Sequence, residues 1–107
     1  MTTLVIHAPD SQVQENQKQS FTQTVQTERG DGYAISKELR RKLATGNDVV
    51  VICKVHQKQA IGKIKELIPT ELTGNGMQRY DVVMENLQEV PFTHGNIRLN
   101  RNGVAVI

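Results

Sequence analysis

Tryptophan is absent, cysteine occurs once, and only two phenylalanines and two tyrosines are spread over 107 residues. With Phe21, Tyr33, Tyr80 and Phe92 as its only large rings, the core must be aliphatic, and an aromatic cage around a ligand is all but excluded. A single thiol excludes an internal disulfide. Cys53 closes the apolar run Val49-Val50-Val51-Ile52-Cys53, where a buried, inert thiol is expected rather than a nucleophile. No stretch approaches the ~20 apolar residues of a membrane span, and the first residues lack the basic and apolar regions of a secretion signal. A soluble, cytoplasmic protein without a membrane partner is therefore expected. A dominant charge is lacking too: 13 Lys+Arg against 11 Asp+Glu leave +2, so a polyanionic partner has to be argued from where the cations lie.

What remains is enough for one domain spanning 1–107. A chain of this size buries roughly two thirds of the surface its unfolded form exposes, so it can hold a core without metal or disulfide. His7, His56 and His94 are scattered, with no HxxxH or CxxC spacing, so neither metal nor cofactor is expected. Gly30-Asp31-Gly32 and Gly74-Asn75-Gly76 lack the third glycine of a dinucleotide fingerprint and read as turns.

Residues 3–7, Thr-Leu-Val-Ile-His, form a β-branched run that stops at Ala8-Pro9-Asp10, so the spacing predicts a short first strand. Residues 11–27 are glutamine-rich and interrupted only by Val13, Phe21 and Val25; they read as a long surface loop, with 21–27 as an edge strand or an extended segment. Arg29-Gly30-Asp31-Gly32 reads as a tight turn. Ser36 then caps a helix over 37–44, the principal helix, with Leu39 and Leu43 as its inward stripe and Gly46 as the left-handed residue beyond it. Residues 49–55 are apolar on both alternating faces at first, as in a central strand covered on both sides. They form an antiparallel hairpin with 60–68, which Pro69 is expected to end. A strand over 80–90 should carry a bulge near Glu85-Asn86, where its apolar phase shifts. Two short strands, 96–100 and 103–107, are joined at Asn102-Gly103 and should bring the chain to its close inside the sheet.

Few residues suggest chemistry. Tyr33 and Lys37 have the YxxxK spacing of a pKa-lowered tyrosine, but no dinucleotide-binding half accompanies them, and Tyr33 is better read as packing under the helix start. Ser36 is better read as a cap than as a nucleophile, because no GxSxG elbow surrounds it. The cations say more. Arg29 precedes the glycine turn, Lys37, Arg40 and Arg41 follow on the helix, and Lys54, His56 and Lys58 lie near a hairpin loop. Together they can meet a phosphate backbone, with Tyr33 or Phe21 adding a stacked ring; the competing reading is an ordinary solvated surface, since Glu28, Asp31 and Glu38 lie nearby.

The order strand, loop, helix, hairpin, strand resembles the PUA-like superfamily, which includes PUA, ASCH and EVE domains. The resemblance lies in Gly46-Asn47-Asp48-Val49-Val50-Val51-Ile52, in the returning Lys58-Gln59-Ala60-Ile61-Gly62-Lys63-Ile64, and in Asp81-Val82-Val83-Met84-Glu85 leading through Leu87 and Val90 to Pro91. It covers 30–92. It implies an α+β fold, a small twisted mixed or antiparallel β-barrel with one main α-helix, and recognition of RNA or modified nucleobases in a groove beside that helix. By position, Thr24, Arg29, Tyr33, Lys37, Arg40 and Arg41 would line the groove. The GxKxxxxxR motif of ASCH domains is missing, as are the tryptophan and aromatic cluster of EVE-like readers. Three functions follow in order. The first is non-catalytic binding of RNA or another nucleic acid. The second is a nucleoside- or RNA-acting hydrolase, with Lys37 or Glu38 beside Thr24 transferring protons. The third is a protein-interaction module, self-pairing to a homo-oligomer included, that uses sheet edges such as Val104-Ala105-Val106-Ile107.

Overall fold

A computed structural model describes residues 2–8, 20–72, 76–100 and 103–107. The fold is a small β-rich α+β arrangement in which one six-stranded sheet, curled into a half-barrel, carries two short helices. The expected turn at Pro9-Asp10, the loop over 11–19 and parts of the glycine linker and the last hairpin turn lie outside the described residues.

The chain runs β1 (Thr3–His7), α1 (Phe21–Thr27), β2 (Arg29–Ala34), α2 (Lys37–Arg41), β3 (Asp48–Cys53), β4 (Lys58–Leu72), β5 (Gln78–Val90) and β6 (Val104–Val106). In space the strands lie in the order β2-β5-β4-β3-β1-β6. β1 pairs parallel with β3, Leu4 beside Val49 and Ile6 beside Val51, and the other pairings are antiparallel. A parallel pair needs a long crossover, and α1, β2 and α2 supply it.

The central position of β3 follows from its composition. Val49, Val50, Val51, Ile52 and Cys53 are all buried, with Val49, Val51 and Cys53 in the main core and Val50 and Ile52 in a second cluster on the opposite face. Cys53 is fully enclosed, as its apolar neighbours imply. The second cluster exists because of topology. From the end of β5 to the start of β6 the chain must pass β4, β3 and β1, so residues 91–100 form a strap that lays Phe92, Ile97 and Leu99 on Val5, Val50 and Ile52.

α1 corrects the reading of 21–27 as a loop or edge strand. Ser20 and Gln23 form a capping box: the Gln23 amide donates to Ser20 Oγ at 3.2 Å, and the Ser20 amide donates to Gln23 Oε1 at 3.1 Å. Phe21 and Thr24 are buried, Val25 packs beside them, and the helix meets β2, β3 and β5. Because β5 and β3 flank β4 in the sheet, one short helix can touch both only where the sheet curls around it.

β2 corrects the tight turn expected at Arg29-Gly30-Asp31-Gly32. Arg29 and Gly30 pair with Val83 and Val82, and Tyr33 and Ala34 with Tyr80 and Arg79, so Asp31 and Gly32 bulge opposite Asp81. Gly32 has φ 72° there, the left-handed region glycine favours, and its amide donates to Asp81 Oδ1 at 3.0 Å. The acceptor comes from a strand 49 residues away and leaves no local signature.

α2 is shorter than the expected 37–44. Ser36 caps it as foreseen, accepting from the Leu39 amide at 3.2 Å, but the Lys42 and Leu43 amides reach back only three residues. The Ala44 amide then donates to Asn47 Oδ1 at 2.8 Å, which replaces the next helical turn. Leu43 is buried and Leu39 packs against the core, the inward stripe expected of them. With α1 present, the described residues hold two short helices rather than one main one.

The strand over 60–68 extends through Pro69 to Leu72. β3 pairs with β4 only as far as Asp48 beside Lys63, so beyond that point β4 has an open edge, where proline costs no ladder bond. The bulge expected near Glu85-Asn86 is present: Ile61 faces Gln88 but Lys63 faces Glu85, and Asn86 has φ 56°. Glu28 holds it, accepting from the Met84 amide at its carbonyl (2.8 Å) and from the Leu87 amide at Oε2 (2.9 Å). Residues 96–100 are not a strand, whereas the strand expected over 103–107 is present as β6, which joins the sheet beside β1 at its edge. Among the described residues β2 and β6 pair on one side only, so the small twisted barrel expected is a curled half-barrel of mixed strands.

Candidate nucleic-acid interface

The six residues expected to line a groove fall into three environments. Thr24 and Tyr33 belong to the core, Arg29 to an ion-pair network, and Lys37, Arg40 and Arg41 to the outer side of α2.

Thr24 is fully buried, and its Oγ1 has no partner among the described residues. Lys37 and Glu38 are exposed. A threonine enclosed in the core cannot share a solvent-facing groove with them, so the proton-transfer arrangement of the hydrolase reading is not assembled. Tyr33 is 1% exposed. Its ring stands against Gly30, where an added Cβ would lie 2.8 Å from Cε2, and its hydroxyl donates to the His7 carbonyl at 3.0 Å. No ring face is left for a base. Phe21 is likewise fully buried, so neither ring named for stacking is presented to a ligand.

Burial raises the Tyr33 phenol well above its ordinary value of 10.0, and the charge of Asp31 adds to the effect. The stability contributed by neutral Tyr33 is full below pH 10 and declines as pH climbs above it, because only the unfolded chain ionises there. Tyr33→Phe should remove this part of the alkaline loss, up to about 1.4 kcal/mol per pH unit, and cost about 1 kcal/mol at neutral pH for the lost hydrogen bond. Denaturant titrations of both proteins from pH 8 to 11 check this; parallel curves above pH 10 would refute it.

Arg29 is engaged. Its Nη2 lies 2.5 Å from Asp81 Oδ2 and its Nε 3.0 Å from Asp31 Oδ1, and these hydrogen bonds, with Asp81 the stronger, raise its pKa further. Arg79 stands in the same bulge, its Nη1 donating to the Gly32 carbonyl at 2.6 Å, so two arginines face the two carboxylates. The position of Arg29 pins the β2 bulge rather than a phosphate.

α2 carries the exposed cations. Lys37, Arg41 and Lys42 are exposed, with Glu38 the one carboxylate between them, and no ion pair engages the three among the described residues. Arg40 is half-buried. Its Cζ lies 5.8 Å from the centroid of the Tyr80 ring, and its Nη1 donates to the Leu43 carbonyl at 3.2 Å. Tyr80 itself is partly exposed. Sequence reasoning missed Tyr80 and Lys42. Tyr80 faces Tyr33 across the β2–β5 ladder, so both rings stand on the core side of the sheet; Tyr33 is enclosed there, while Tyr80 packs at the margin, partly exposed, with the Arg40 guanidinium over it.

The cations near the hairpin loop point elsewhere. Lys54 Nζ donates to the Ile97 carbonyl of the strap at 2.8 Å, and Lys58 Nζ lies 5.9 Å from the centroid of the Phe21 ring. The β6 edge offers little to a pairing partner. The Val104 amide donates to Asn100 Oδ1 at 3.1 Å and its carbonyl accepts from the Asn100 amide at 3.0 Å, which leaves Val106 as the strand residue facing outward. Among the described residues, no helix is long and apolar enough to cross a membrane, and no group of three or more His, Cys, Asp or Glu is placed to hold a metal.

The chain matches no family model, no curated protein and no solved structure.

Proposed function

We propose that the protein binds nucleic acid without catalysis, through the basic outer side of α2. The observation that carries this reading is the set of exposed cations Lys37, Arg41 and Lys42 on and beside one short helix, unpaired among the described residues, with the half-buried Arg40 over the Tyr80 ring beside them. Such cations gain by displacing the counterions condensed on a phosphate backbone, and backbone contacts position a ligand without reading its sequence. The PUA-like layout of the sequence argues for RNA as the ligand. Arg29, Tyr33 and Thr24 have no contact role in this reading; they hold the sheet and core behind the helix.

Fluorescence polarisation with short single-stranded and duplex RNA and DNA, at several salt concentrations, tests the proposal. Affinity should fall steeply with salt. Lys37→Gln with Arg41→Gln should weaken binding across sequences alike and flatten the slope of log affinity against log salt by about 1.4 to 1.8, the share of two phosphate contacts. Arg40 stays in place because its removal would mix lost charge with lost packing. An unchanged slope in the double variant would exclude this side of α2.

A further inference from the structure

We infer that the α2 site takes a single strand rather than a duplex, one unpaired base stacking on the guanidinium plane of Arg40 above the Tyr80 ring; this rests on the reading above. Three observations lead to it.

The first is that the Arg40–Tyr80 pair is already in place. Tyr80 is fixed on both sides by the sheet, facing Tyr33 of β2 and Pro69 of β4. Arg40 is fixed by its bond to the Leu43 carbonyl, with the cation 5.8 Å from the ring centroid. A guanidinium already held over a ring needs little further ordering to receive a base, and guanidinium groups stack on flat π-faces. The second is placement. Lys37 and Arg41 lie four apart, hence on one side of the helix, and Arg40 sits three residues from the first and next to the second. Phosphates on either side of a base stacked at Arg40 would meet these cations. The third is reach. Five residues of α2 rise only about 7.5 Å, and the major groove of an A-form RNA duplex is too deep and narrow for side chains to read. A duplex keeps the faces of its bases against one another and offers only edges and backbone, whereas an unpaired strand offers faces.

The protein's composition supplies a direct readout. It has no tryptophan and two tyrosines, so Tyr33→Phe leaves Tyr80 as the sole emitter, and Tyr33 lies outside the proposed contact. Oligouridylate, which absorbs weakly where tyrosine emits, should quench Tyr80 emission with the midpoint that polarisation gives; a duplex RNA of equal length should bind in low salt without quenching. Arg40→Lys keeps the charge and removes the plane. It should lower the ratio of single-strand to duplex affinity by roughly five- to 150-fold, the range for loss of one stacked base, and circular dichroism would confirm that the variant is folded. Equal binding of both ligands, no quenching and an unchanged ratio in Arg40→Lys would overturn the stacked base while leaving the charged helix side standing. No binding of either ligand at low salt would overturn both.

Discussion

Phe21→Ala should destabilise the protein by about 3 to 5 kcal/mol, the range for truncating a fully buried phenylalanine. Phe21 is the first residue of α1, completely enclosed, in contact with the main core, with the Lys58 ammonium near its ring. Truncation removes most of the apolar area that holds α1 in the curl of the sheet. Thr24 brings to the same interface a hydroxyl without a partner among the described residues and cannot compensate. For a domain of this size each kcal/mol is worth about 4 to 8 °C in Tm, so the loss is readily measured by denaturant or thermal unfolding. The result separates two descriptions of the segment. A phenylalanine on a surface loop would cost within about 0.5 kcal/mol, and a loss that small would remove α1 from the core.

The contrast shows what the sequence makes legible. β1, β3 and the β5 bulge could be read locally, because each rests on a pattern a few residues long: a β-branched run, an apolar stretch on both faces, a shift of phase. α1 could not be read by composition, since glutamine and threonine dilute its apolar positions below any clear period. Its signal was finer. Ser20 and Gln23 stand at capping-box spacing, and Phe21 and Val25 are four apart. β2 had no local signal at all. A segment rich in glycine and aspartate is turn chemistry by every short-range rule, and it becomes a bulged strand only because Asp81 supplies the acceptor that Gly32 needs and a carboxylate for Arg29. Pro69 is the same lesson in reverse: a strand terminator by local rules, it is accommodated where the neighbouring strand has ended.

The candidate site divides along the same line. That the cations of α2 share a surface follows from helical spacing, and Lys37, Arg40 and Arg41 are there. Which of Arg29, Tyr33 and Tyr80 would join them depends on β2 pairing with β5, a contact between segments some 50 residues apart. That pairing turns Tyr33 inward, draws Arg29 onto two carboxylates and brings Tyr80 to Arg40. The same topology that disqualified the expected ring supplied another.

The strap over 91–100 is the other product of that topology, and Gln59→Leu should show how it is held. Gln59 is 1% exposed, and its carboxamide ties down the strap: Oε1 accepts from the Thr93 amide at 2.8 Å and the His94 amide at 3.1 Å, while Nε2 donates to Thr93 Oγ1 at 3.2 Å. Leucine has similar volume and no polar atoms, so the substitution leaves packing nearly intact and strands two backbone donors. Each stranded donor costs about 1 to 3 kcal/mol if it stays buried. The strap has no secondary structure to absorb the loss, so it should relax toward water and lift Phe92 from Val5, Val50 and Ile52. The net cost is therefore expected near the low end of that sum, about 2 to 4 kcal/mol. Hydrogen exchange distinguishes relaxation from global weakening: the Thr93 and His94 amides should lose protection by more than the amides of β3 do. Protection falling equally in both would mean that the strap and the sheet open together, and a loss below about 0.5 kcal/mol would mean that the apolar contacts of Phe92, Ile97 and Leu99 hold the strap without Gln59.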